Sequence, residues 1–388
     1  MNTVLELSAF RGLPVWELPA AHYLLMIQAG AFAMLAGCAS RALGLQSFAD
    51  LRLWGVLAAT GLVLAAPLNL VAELLSPERF PSMLYRVHLS SPLSWGAWAI
   101  MALTALGLLE CLLLFRPGRP DGAGGDGSSV GSAVPDGAGG DVRPAGGERA
   151  APRPNRLVPR LTSLAALGVI VYTAIEIGNA KGVAPWSGFW PLATLLSSGL
   201  AAGLAVCLGL ARLDNPARPD RGQAVRESLY RRILAVACAL SGLALLGWGE
   251  LAARPVLSGW AAWPEAAVLP VLGAAAFLLA AVLSSGRSFA QSRARFGRFG
   301  RFDRFAWACL LATAGAWVSR VAVLSVGQAA ALGRNLGEPH LVGHAGLLTA
   351  VAPLACWIVH KLAAYIAVGR LPGLALRAKR EGGGEAKS

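Results

Sequence analysis

The sequence predicts an all-α fold, a polytopic transmembrane helix bundle of about nine spans with its N-terminus outside and its C-terminus inside. Three observations predict it. The 388 residues are 55% hydrophobic and only 14% charged, with a mean hydropathy of +0.56, which is too apolar for an ordinary soluble domain. Apolar runs of about 20 residues, the length that crosses the hydrocarbon core of a bilayer, recur near 20–40, 53–74, 94–115, 161–180, 189–211, 233–252, 265–286, 305–327 and 345–368. Of the 34 Lys and Arg residues, 26 fall in the loops after helices 1, 3, 5 and 7 and in the C-terminal tail, against 6 in the N-terminus and the remaining loops. Basic residues stay on the cytoplasmic side, so this asymmetry sets the orientation.

Helix 1 follows Pro19. The segment before it has no basic stretch ahead of an apolar core, so the helix itself is the expected insertion signal and no cleaved peptide is expected. With helices 2 and 3 it completes a first unit over residues 1–116. Residues 117–158 repeat Gly-Ala-Gly-Gly-Asp at 122–126 and 137–141 without any apolar period, which predicts a disordered cytoplasmic linker. Helices 4–9 form a second unit over 159–370, and residues 371–388 form a basic, then glycine-rich cytoplasmic tail. Gly30, Gly37, Gly199 and Gly203 lie inside apolar runs, where small residues let membrane helices approach closely. The loop 287–304 interleaves arginines with Phe296, Phe299 and Phe302 and reads as a positive-inside anchor against membrane lipid. On the opposite side, loops 75–93, 181–188, 253–264 and 328–344 hold Tyr85, His88, Trp186, Trp260, Trp263, His340 and His344. Their aromatic, polar character suits docking of an extracytoplasmic partner.

The net charge of +13 does not indicate nucleic-acid binding, because the arginines sit in loops between membrane runs. Six cysteines, Cys38, Cys111, Cys207, Cys238, Cys309 and Cys356, are scattered singly with no Cys-x-x-Cys pair. An iron–sulfur cluster needs grouped thiolates, so no such cluster is expected in this chain. A haem needs axial ligands facing each other across the bundle. Only His22 and His360 lie in or at helices, toward opposite faces, so no haem is expected either.

Ionisable groups inside a membrane are costly and mark function by default. Their distribution is lopsided. His22 begins helix 1, Glu73 closes helix 2, Tyr172 and Glu176 lie in the outer half of helix 4, Glu250 ends helix 6 and Arg320 lies in the outer half of helix 8. Glu110, His360 and Lys361 are inward. Tyr172 and Glu176, four residues apart, share a helix face, with Asn179 a further turn on. The outer cluster offers donors, acceptors and one guanidinium. Arg320 has two readings, holding a charged ligand group or pairing structurally with Glu73, Glu176 or Glu250. Glu73 and Glu110 are candidates for proton transfer.

Residues 67–98 join helices 2 and 3 through Pro-Leu, acidic-Leu, Pro-Glu-Arg, Ser-Pro and Ser-Trp-Gly in series. This order resembles the NrfD/PsrC family of membrane subunits, which exchange electrons between quinones and an iron–sulfur partner. Residues 171–192 resemble the family's Tyr-Thr helix followed by a Pro-Trp turn, and Leu18-Pro-Ala-Ala-His-Tyr resembles its first-helix start. By that likeness His22 and Tyr172 fall where the family binds quinone. The nine-span length, Glu176 and Arg320 followed by Gln328 look most like tetrathionate reductase membrane subunits, although Glu73 stands where aspartate is common. The resemblance implies a quinol-oxidising anchor in the inner membrane that binds menaquinol or ubiquinol. It also implies two partners, a periplasmic ferredoxin-like iron–sulfur subunit and a molybdopterin catalytic subunit. Polysulfide, arsenate or another oxyanion are alternative terminal acceptors. A secondary transporter is the rival of another class, which would favour inverted repeats and midplane ions.

Overall fold

In a medium without water every backbone N–H and C=O must be satisfied within its own segment, and a continuous Ala- and Leu-rich run does so by closing into a helix. The computed structural model describes residues 18–73, 85, 92–115, 156–178, 184–214, 221–254, 264–285 and 304–332, and no strand occurs among them. The helices are α1 (Leu18–Ala42), α2 (Arg52–Glu73), α3 (Pro92–Phe115), α4 (Leu157–Gly178), α5 (Phe189–Asp214), α6 (Arg221–Trp248), α7 (Pro264–Ser285) and α8 (Arg304–Leu332). Eight spans, one built on each of these helices, are long and apolar enough to cross a membrane. The ninth expected span, at 345–368, lies outside the described residues. So do most of the 117–158 linker, the tail, and Asn179, His88, Trp260, Trp263, His340, His344 and Cys356.

Two boundaries differ from expectation for identifiable reasons. Helix α4 starts at Leu157, two residues inside the expected linker, with Pro159 in its first turn, where a missing N–H leaves no hydrogen bond unmade. Helix α6 starts at Arg221, a dozen residues before its apolar run. Its polar first turns carry an Arg231–Glu227 ion pair at 2.5 Å, the i,i+4 spacing that supports a helix without apolar burial. Pro67 and Pro270 sit within α2 and α7, a position that membrane helices tolerate.

Helices α1–α4 pack in a closed ring, α1 on α2, α2 on α3, α3 on α4 and α4 on α1; helices α5–α8 close a second ring in the same way. Helix α1 joins the two, packing also against α5 and α8, and is the most enclosed span. The close approaches run through glycine. A Cβ on Gly55 of α2 would stand 2.7 Å from the Gly37 Cα of α1, and one on Gly203 of α5 would stand 2.7 Å from the Ala29 carbonyl oxygen. Polarity runs opposite to that of a soluble protein. Leu64, Leu68, Leu112, Leu164, Leu243 and Val282 are exposed on the exterior, while Gln28, Thr173, Ser198 and Arg320 are buried.

The two ends of the bundle differ in chemistry. At one, Arg41, Arg160, Arg226, Arg231 and Arg304 gather with the short 3-10 helix Gln46–Leu51. Arg160 donates to the Ala42 carbonyl at 3.3 Å, Tyr230 donates to the Ser47 carbonyl, and Arg226 pairs with Asp50 at 2.6 Å. At the other, aromatic end, the 3-10 turn Ala184–Trp186 folds back into the bundle. The Trp186 indole N–H donates to the Val323 carbonyl at 2.7 Å, and that of Trp248 to the Pro185 carbonyl at 2.8 Å. Trp186 is buried, so it pins this connection and is not part of an exposed docking surface; Tyr85 is exposed.

Candidate functional site

Helix α1 presents polar side chains to both rings, and each has found partners on a different helix. Gln28, six residues beyond His22, is buried at the seam. Its amide nitrogen donates to the Thr173 hydroxyl of α4 at 3.0 Å, and its amide oxygen accepts from the Arg320 guanidinium of α8. Thr173 passes its own proton to the Ile170 carbonyl at 2.9 Å. Arg320 also donates to the Ser198 hydroxyl at 2.6 Å, the Leu195 carbonyl at 3.1 Å and the Ala316 carbonyl at 3.1 Å. The chain Thr173–Gln28–Arg320–Ser198 therefore crosses from one ring to the other.

Every acceptor on Arg320 is neutral. Among the described residues no carboxylate pairs with it, although the side chain is fully buried. Glu250 pairs instead with Arg254 at 2.7 Å in an exposed i,i+4 contact, and the Glu73 side chain lies outside the described residues. The Arg320 Nε–H is buried without a hydrogen-bond partner among the described residues.

His22 lies nearer the aromatic end of α1, 5% exposed. The Trp317 indole N–H of α8 donates to its Nε2 at 2.7 Å, and the two rings stack with centroids 5.9 Å apart. An indole N–H can only donate, so Nε2 is an acceptor and the proton of the neutral imidazole sits on Nδ1. That Nδ1 is buried without a partner among the described residues. Trp317 and Arg320, three apart on α8, share a face, and each bonds a side chain of α1, Trp317 to His22 and Arg320 to Gln28.

Tyr23, adjacent to His22, looks to the first ring. Its hydroxyl is 3.5 Å from the Tyr172 hydroxyl of α4, and Tyr172 is in turn close enough to interact with Glu176. The Tyr172 ring fills the space left by Gly96 of α3, where a Cβ would overlap it. Glu176 Oε2 is buried without a hydrogen-bond partner among the described residues. Asn69 of α2 caps this side, donating to the Met26 sulfur at 3.4 Å.

The structure thus brings His22, Tyr172, Glu176 and Arg320 to the half of the bundle toward the aromatic end, on two branches that leave α1 from neighbouring residues. Glu110 stands apart. It is buried near the arginine-rich end with Arg52 and Arg41 as its electrostatic neighbours. Gln28, Thr173, Ser198 and Trp317 carry no ionisable group, so a sequence reading restricted to such groups misses them, and Tyr23 stands out only by its contact with Tyr172. The signal that finds them is an uncharged hydrogen-bonding side chain inside an apolar run, which in a membrane needs a partner on another helix. Among the described residues no group of three or more His, Cys, Asp or Glu side chains is placed to hold a metal ion. No protein-family model matches the chain, and no curated protein matches it.

Proposed function

We propose that this chain is the quinol-oxidising membrane anchor of a respiratory molybdoenzyme complex, seated in the inner membrane with its aromatic end outward. The observation that carries the reading is that two buried polar atoms, the His22 Nδ1–H and Glu176 Oε2, have no hydrogen-bond partner among the described residues. One is a donor and the other an acceptor, and the phenols of Tyr23 and Tyr172 lie on the Glu176 branch. Oxidation of a quinol removes two electrons and two protons. The Nδ1–H and the Tyr172 hydroxyl orient the quinol oxygens, and the Glu176 carboxylate takes the protons. Menaquinol or ubiquinol is the substrate, reaching the site from the surrounding lipid.

The resemblance of residues 67–98 and 171–192 to NrfD/PsrC subunits supports the same reading. It supplies the partners as well, a periplasmic ferredoxin-like iron–sulfur subunit that accepts the electrons and a molybdopterin catalytic subunit beyond it. Tetrathionate is the terminal acceptor that the pattern favours, with polysulfide, arsenate or another oxyanion as alternatives. The arginine-rich end supports the inward orientation. Glu73 and Glu110 are placed in proton transfer by the same proposal, Glu110 as a group near the inner face.

The test compares two electron donors on the intact complex. Wild-type complex reduces its acceptor from quinol and from an artificial dye that feeds the partner's clusters directly. Variants at His22, Tyr172 and Glu176 lose the first activity and keep the second; equal loss of both, or loss of neither, refutes the site.

A further inference from the structure

We propose that the seam between α1 and α8 stabilises the anionic semiquinone formed halfway through quinol oxidation, with the Arg320 Nε–H and the His22 Nδ1–H as its hydrogen-bond donors. The inference rests on the quinol reading above and adds to it a specific intermediate and the two nitrogens that hold it.

Arg320 is fully buried, and each of its hydrogen-bond partners is uncharged: the Gln28 amide, the Ser198 and Ser319 hydroxyls and the Leu195 and Ala316 carbonyls. A cation in so apolar an interior is costly unless a counter-charge reaches it, and none comes from the described residues. Its remaining donor, Nε–H, has no partner among the described residues. The second such donor is the His22 Nδ1–H, whose tautomer is fixed by Trp317 at 2.7 Å. Both residues take part in the contacts between α1 and α8, His22 through Trp317 and Arg320 through Gln28. Two donors and a positive charge form the complement of an anionic oxygen. Bonds to an anion are about twice as strong as bonds to a neutral acceptor, so the arrangement favours the anion over neutral quinol or quinone.

Quinol loses one electron to an iron–sulfur centre of the partner, a one-electron acceptor, and two protons leave through the Glu176 carboxylate to the adjoining aqueous face. The product is the semiquinone anion, held by Arg320 and His22. Loss of the second electron to the same acceptor gives neutral quinone, for which these donors have less affinity, and it departs. Gln28 and Ser198 are positioning residues that orient the guanidinium.

Pulsed electron paramagnetic resonance tests this on the full chain in nanodiscs loaded with ubiquinone or menaquinone, poised through the quinone couple by redox mediators. With heavy-nitrogen arginine or histidine, the wild-type semiquinone signal should show hyperfine coupling to one nitrogen of each type. Arg320→Lys keeps the buried charge but lacks the Nε–H, so it should abolish the arginine coupling and lower the maximal semiquinone signal by about tenfold or more. Gln28→Ala should weaken the arginine coupling without removing the histidine one. A semiquinone that couples to neither residue, a signal unchanged in Arg320→Lys, or retained quinone that is reduced with no semiquinone overturns the inference while leaving the quinol site standing. A chain that retains no quinone overturns the quinol reading and this inference with it.

Discussion

Tyr172 is held from three sides: its hydroxyl meets Tyr23 at 3.5 Å, Glu176 lies one turn along the same helix, and the ring fills the gap at Gly96. Removing the hydroxyl alone leaves the packing intact. Tyr172→Phe and His22→Ala should each lower quinol-driven turnover by at least about tenfold, a loss of ~1.4 kcal/mol of transition-state stabilisation, while dye-driven turnover stays at the wild-type level. Steady-state rates with the two donors check it. Gly96→Ala tests the same residue from outside. The new methyl overlaps the ring and displaces the phenol, so this variant should lose quinol-driven turnover although Tyr172, His22 and Glu176 are all present. Glu110 was visible in the sequence by its charge, and its distance from the other candidates follows from α3 running the length of the bundle.

At the scale of elements, two glycine-mediated crossings hold α1 in place. Gly203→Ala would put a methyl 2.7 Å from the Ala29 carbonyl oxygen and close against Phe32. Overpacking of this kind costs about 1–3 kcal/mol. Because α1 carries Gln28 and α5 carries Ser198, the same change moves the two ends of the Arg320 network apart. The expected result is a lower thermal midpoint of the purified chain together with reduced quinol turnover. The connection from α4 to α5 supplies a second test. Trp186 donates to the Val323 carbonyl at 2.7 Å, and its ring occupies the place a side chain at Gly327 would need. Trp186→Phe should therefore destabilise the bundle by about 1 kcal/mol, the net worth of one buried hydrogen bond, and Gly327→Leu by more. Thermal melts in the same lipid measure both. The apolar runs located these elements within a few residues, and they failed at the start of α6, whose polar first turns carry an ion pair.

For the whole molecule, the proposed orientation puts the arginine-rich end on the cytoplasmic side of the membrane. A cysteine introduced at Gly125 should resist an impermeant thiol reagent in intact cells and react after permeabilisation. Reaction in intact cells would reverse the orientation and the outward electron path. Deleting the gene should abolish anaerobic respiration on tetrathionate; normal growth there with loss on arsenate would reassign the acceptor within the same proposal. Purified chain should show no reduced cytochrome b band, and a stoichiometric band would favour a haem-bearing anchor.

Composition and run length by themselves determined that the chain is a bundle of membrane-length helices, because a span needs about 20 apolar residues whatever its neighbours are. Charge alone singled out His22, Glu176 and Arg320, since an ionisable group in an apolar run is conspicuous without any structure. Only the tertiary structure decided that α1 joins two four-helix rings, that Gln28 bridges Thr173 and Arg320, and that Arg320 has neutral partners among the described residues, where one of its two readings paired it with a glutamate. Those facts depend on which helix faces which across 145 to 292 residues of chain. The apolar period along one helix shows that a face is buried and carries no information about its partner, because hydrocarbon and a neighbouring helix are equally apolar surroundings.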